Sequence, residues 1–288
     1  MTYTVWIVLT AVLVGLSCSL IGVFLILRKM AMMADAISHT VLLGIVVAFL
    51  ITKEISGPHM LIGAIIAGLV TALLVQWLHQ FDIEQHASIG IVFTTLFAIG
   101  VILIATSVGN AHLDVQHALM GEITFIPWDT ITLPFVGKVP VATAMLSLVL
   151  VIVIVSIIAF YKEWKITSFD PALAASLGIP VVFMHYLFMS LVSITTVASF
   201  DAVGAIMVVA MLITPAASAY LWTDKLSIML LLSALFGVTS AIVGYYVAAW
   251  LDTSISASMA FATGIFFLIS FLGSPKHGLI SKYNRIAS

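Results

Sequence analysis

Apolar stretches of about twenty residues recur along the chain, and short clusters between them hold nearly all of its charged and turn-forming residues. A bilayer's hydrocarbon is about 30 Å thick, so a helix rising about 1.5 Å per residue needs some twenty residues to cross it. On that length the pattern predicts spans at residues 4–27, 30–51, 60–78, 89–108, 139–161, 182–200, 204–222, 226–250 and 256–272. Helix is expected for each, because lipid offers no partner to an open backbone polar group. The count is nine, or eight if residues 199–204 (SFDAVG) interrupt one long helix instead of turning the chain. The expected fold is an all-α polytopic bundle, with residues 1–273 as one transmembrane domain and 274–288 as a solvated tail.

Sorting the connections alternately puts Arg28, Lys29, Lys162, Lys165, Lys225, Lys276, Lys282 and Arg285 on one side and only Lys53 and Lys138 on the other. The basic side is the expected cytoplasmic face, which places the N-terminus outside for nine spans. Two connections are long. The outer one, about residues 109–138, carries His112, Asp114, His117 and Glu122, and its mixed composition suits a helix or re-entrant piece at the interface. The inner one predicts a short helix within about 168–179. Asp170 can cap it, Pro171 fits its first position, and Gly178 and Pro180 stop it, leaving Leu173 and Leu177 exposed beyond the bilayer.

Composition narrows the class. Of 288 residues 63% are hydrophobic and 8% charged, and the mean hydropathy is +1.27; a soluble domain carries about 25% charged residues. A net charge of −2 speaks against nucleic acid as a ligand. The single cysteine, Cys18, excludes a disulfide or thiolate metal cluster within the chain. The apolar run around it continues to Leu27 without a basic region before it, as a span does and a cleaved signal does not. No phosphate-cradling glycine loop, dinucleotide fingerprint or hydrolytic triad is present, so ATP would have to be bound by another polypeptide.

Asp35 and His39 stand inside the second apolar run, four residues apart and therefore on one helix face. An ionisable pair in hydrocarbon costs several kcal/mol unless it meets protein, water or an ion. One carboxylate and one imidazole are too few for a first-row divalent metal, which takes about four to six ligands. A twofold axis would double them, and the mixed O and N set suits Mn2+, Zn2+ or Fe2+. Imidazole ligates only when neutral, so uptake is expected to fall in acid. The plainer alternative is a structural hydrogen-bonded pair tying two helices.

Elsewhere the plainer reading leads. Ser38 is a packing or supporting residue, and His112, Asp114, His117 and Glu122 belong to a solvated loop. Asp201 is a turn or cap, and Pro215 marks a kink. His59, His79, His86, His185 and His277 are interfacial, while Gly63, Ala67, Gly237, Ala241 and Gly244 are close-packing positions.

Three stretches together carry a family likeness: residues 28–39 (RKMAMMADAISH), 169–178 (FDPALAASLG) and 199–219 (SFDAVGAIMVVAMLITPAASA). In order and spacing the chain resembles the zinc and manganese permeases of bacterial ABC importers. The resemblance implies a type II importer-like homodimer in the bacterial plasma membrane, fed by an extracellular metal-binding lipoprotein and driven by a pair of cytoplasmic ATPase subunits. It implies metal contact at Asp35 and His39, and ATPase coupling at Asp170, Pro171, Leu173, Leu177 and Gly178. It implies no bound cofactor and no catalysis by this chain, with the divalent metal as cargo. The outer loop departs from the family pattern in its wealth of possible ligands. A proton- or sodium-coupled secondary transporter is the alternative, but it leaves the exposed 170–178 helix without a purpose. An intramembrane metalloenzyme would need a further ligand and a base beside Asp35 and His39.

Overall fold

The structure is a computed structural model that describes residues 3–53, 58–107, 123–133, 137–275 and 278. Among these, nine helices are long and apolar enough to cross a membrane. They are α1 (Tyr3–Leu27), α2 (Met32–Thr52), α3 (Pro58–His79), α4 (Gln85–Ser107), α5 (Val141–Ala159), α8 (Val181–Val203), α9 (Ala205–Trp222), α10 (Leu226–Leu251) and α11 (Ile255–Gly273); the short α6 (Tyr161–Phe169) and α7 (Pro171–Ser176) lie between α5 and α8. Each matches a predicted span to within four residues at either end.

The junction after residue 199 is a turn of the chain. Gly204 alone separates α8 from α9, at φ 80° and ψ 165°, a conformation open essentially only to glycine. Its N–H closes α8 by donating to the Phe200 carbonyl. Both helices are long enough to span by themselves, which settles the count at nine among the described residues.

Helix α1 is the inner staff of one group, packed by α9, α10 and α5, while α11 covers α9 and α10. Helices α2, α3 and α4 form a second group, joined to the first through α8 and by contacts of α2 with α9. Lipid tails are as apolar as leucine, so close van der Waals approach and interhelical hydrogen bonds must hold such groups together. Small residues permit that approach. A Cβ on Gly15 would lie 2.7 Å from the Gly237 carbonyl oxygen, and one on Gly63 2.6 Å from that of Gly44. Buried hydroxyls add cross-links: Thr10 to Thr143 and Thr71 to Thr40, both at 2.7 Å, and Ser233 donating to the Ser19 carbonyl at 2.9 Å.

The outer connection is described at residues 123–133 and 137–140. A 3-10 helix, Ile123–Trp128, is followed by an antiparallel hairpin of β1 (Thr130–Leu133) and β2 (Gly137–Pro140), paired Thr130 to Pro140 and Leu133 to Gly137. Thr130, Ile131 and Thr132 are all β-branched, which favours the extended backbone of β1. His112, Asp114, His117 and Glu122 lie outside the described residues, as do His277 and the basic residues of the tail.

Candidate functional site

Asp35 sits in the first turn of α2 and His39 one turn later. Helix geometry brings Oδ1 of Asp35 to 3.5 Å from Nε2 of His39. That is too long for a strong hydrogen bond, so both groups keep lone-pair capacity for something else.

The rest of α2 explains why the pair faces outward. Met33, Ala34, Ile37 and Val41 are buried. The Thr40–Thr71 hydroxyl contact and the Gly44–Gly63 backbone approach lock α2 against α3. On the opposite stripe Met32, Val47 and Ile51 are exposed, and Asp35 and His39 lie between them with about one third of each side chain accessible (37% and 33%). The pair therefore belongs to an open face of the protomer, not to its core. Phe93 and Phe97 of α4 flank the imidazole, with ring centroids at 5.4 and 5.7 Å. They wall one side of the site with apolar surface and limit the ring's orientations. Ser38 is buried, off the accessible stripe, and donates its hydroxyl hydrogen back to the Asp35 carbonyl oxygen at 2.7 Å, a local support of the helix.

Among the described residues no group of three or more His, Cys, Asp or Glu side chains could enclose a metal. One protomer thus presents two donors, an oxygen and a nitrogen, on an accessible surface. Such a set can hold a divalent ion only with donors from elsewhere.

The second candidate region is α7. Asp170 Oδ1 accepts from the Leu173 N–H at 2.9 Å, Pro171 occupies the first turn, and Gly178, at φ 79°, follows the last. Leu173 and Leu177 are 50% and 62% exposed. Aromatic packing at the base of this segment is dense: Trp164 of α6 is buried with Phe24 at 5.3 Å and Phe188 at 5.8 Å between ring centroids.

Of the other sequence candidates, Asp201 lies exposed in the last turn of α8, before the Gly204 turn. Pro215 lies within α9 and is buried. His59 and His86 stand in the first turns of α3 and α4, His185 in the second turn of α8, and His79 ends α3. One contact had no sequence signal. Arg28, just past α1, donates from Nε to Ser168 Oγ at 3.0 Å and from Nη2 to Thr167 Oγ1 at 3.2 Å, 140 residues away. It ties the turn that opens α2 to the segment that opens α7.

Relatives match nearly the whole chain. The pattern of the ABC 3 transport family matches residues 1–274. The manganese transport system membrane protein MntD of Bacillus subtilis is 57% identical over 282 residues, covering 98% of this chain and 96% of that protein. The zinc transport system membrane protein TroD of Treponema pallidum is 40% identical over 280 residues, 97% and 76% of the two chains. The solved structure of PsaBC from Streptococcus pneumoniae in complex with Fab superposes with a TM-score of 0.81 at 33% identity, covering 100% of this chain and 96% of that one.

Proposed function

From the premise that the chain belongs to the ABC 3 transport family, as the membrane permease subunit of an ABC transporter, we propose that it conducts a divalent transition metal, Mn2+ or Zn2+, into a bacterial cell. Relatives named for manganese and for zinc transport support that cargo class. The permease works as a homodimer in the plasma membrane, with its basic end in the cytoplasm. An extracellular metal-binding lipoprotein delivers the ion, and a pair of ATPase subunits drives the cycle.

One observation carries the reading: a carboxylate oxygen and an imidazole nitrogen, 3.5 Å apart, stand on an accessible face of a membrane-spanning helix. Asp35 and His39 contact the ion, and the same two residues of a symmetry mate complete its coordination. Two donors from each protomer part when the protomers move, which makes release possible; a closed four-ligand cage within one chain would hold the ion. On the cytoplasmic side α7 seats Leu173 and Leu177 in the ATPase. Asp170, Pro171 and Gly178 define the ends of that helix.

The test is metal uptake into vesicles holding the complete complex. Asp35→Asn keeps the side chain's shape without its charge, and His39→Ala removes the nitrogen. Each is expected to abolish uptake while the dimer still assembles with its ATPase. Normal uptake by either variant refutes the site.

A further inference from the structure

Between α1, α3, α6 and α8, at the end of the bundle that carries Arg28 and Lys165, lies a cavity of about 350 Å3. Arg28, Lys29, His79 and His185 line it together with the Thr167 and Ser168 hydroxyls, and no carboxylate does.

Arg28 is the cation that needs explaining. Its Nε and one Nη2 hydrogen are taken up by Ser168 and Thr167, and its guanidinium lies over the Phe188 ring at 4.5 Å from the centroid. Three of its five N–H groups have no protein acceptor among the described residues, and no carboxylate there lies within ion-pairing distance of it. Burial pushes its pKa down to about 10, which still leaves it charged at neutral pH. Arg28 is part-buried, and a partly desolvated cation without a counter-ion is unfavourable, a penalty that a bound anion reduces.

One further feature points the same way. Ser168 accepts from Arg28 and keeps its own hydroxyl hydrogen free of any acceptor among the described residues. Lys29, exposed at the rim, is the left-handed residue (φ 58°) that ends α1, its N–H donating to the Ile26 carbonyl. The cavity thus gathers donors of fixed geometry, a guanidinium and a hydroxyl, with a flexible ammonium at its edge. Planar and tetrahedral oxyanions suit such a set, and a guanidinium fork favours phosphate.

We propose that this cavity binds a phosphate group, carried by an anionic lipid headgroup or by free orthophosphate, and that the bound group braces the α1–α2 turn against the α6–α7 segment. Occupancy needs no transported metal and no ATP. Basic pockets between membrane helices are a recurring mode of headgroup recognition. The cavity also opens between the turn leading into the metal helix and the segment leading into α7, so its occupant touches both.

The full-length chain, purified in neutral detergent, tests this by two measurements. Native mass spectrometry reads retained phosphatidylglycerol against phosphatidylcholine, and equilibrium dialysis reads radiolabelled orthophosphate at constant ionic strength. One phosphatidylglycerol retained identifies the headgroup as the source; one orthophosphate bound without lipid retention identifies the free ion. Arg28→Gln is expected to lower occupancy by about tenfold or more, the scale of a lost charge-assisted hydrogen bond. Lys29→Gln, at an exposed position, leaves the fold intact and lowers occupancy severalfold, while Lys225→Gln at the same end leaves it unchanged. Absence of both ligands from the unaltered chain overturns the proposal, as does equal occupancy in the unaltered chain and the Lys29 and Arg28 variants. Binding is read without transport, so failure here is distinct from failure of the Asp35–His39 site.

Discussion

At Asp35 and His39 the two donors differ in how they meet protons. A neutral imidazole nitrogen can ligate a metal and a protonated one cannot, whereas a carboxylate offers oxygen donors. Metal and proton then compete for one nitrogen, so uptake is expected to be lower at about pH 5.5 than at about pH 7.5. His39→Glu replaces that nitrogen by a carboxylate. That variant is expected to flatten the profile and to shift preference from Zn2+ toward Mn2+, since oxygen donors suit the harder ion. Radiometal uptake at both pH values, with each metal competing against the other, checks both effects. A profile equally steep in the variant assigns the pH dependence to another group.

The helices set how well such residues are held. Helix α7 is six residues long, too short to be stable by propensity alone, so its cap matters more than it would in a long helix. Losing an aspartate cap costs about 1 kcal/mol, and asparagine caps nearly as well. Asp170→Ala is therefore expected to raise ATP hydrolysis per ion transported by fraying the helix that presents Leu173 and Leu177, and Asp170→Asn is expected to restore the ratio. Equal ratios in the two variants would tie the effect to charge instead of capping. Between α2 and α3 the margin is steric. A side chain at Gly44 meets the Gly63 backbone and the Ala67 side chain, so Gly44→Val is expected to destabilise the protein by about 1–3 kcal/mol, read as a lowered thermal midpoint in detergent.

At this scale much was legible in the sequence. The span pattern is imposed by lipid, which leaves an apolar run of about twenty residues only the helix, and the α7 boundaries follow from Asp170, Pro171 and Gly178 acting locally. The hairpin of β1 and β2 was not legible, because it depends on pairing between two four-residue strands too short to show a period. The pairing of Arg28 with Ser168 was equally hidden, since nothing in either segment names its distant partner. Asp35 and His39 could be read as a pair because one helix turn separates them. Their exposure could not, since it depends on which face α3, α4 and α8 leave open.

For the whole molecule, the open face of α2 raises the question of how many sites a dimer has. One protomer offers two donors, and the described residues provide no third acid or imidazole to complete a shell. If the ion sits on the twofold axis, both protomers are needed for every transport event. If each protomer binds its own ion, with water filling the shell, one intact protomer suffices. Coexpression of equal amounts of unaltered and Asp35→Asn chains separates these cases. Random pairing leaves about one quarter of dimers with two intact chains and about one half mixed. A shared axial site is therefore expected to retain about a quarter of full uptake, whereas independent sites would retain about half. A tandem fusion of one intact and one altered chain, joined through an added single-span linker because nine spans put the two termini on opposite sides of the membrane, separates the cases further: the axial arrangement gives no uptake and the independent one about half. Zero uptake from that fusion, with a fusion of two intact chains fully active, places the ion between the protomers and makes the accessible face of α2 the wall of the pathway.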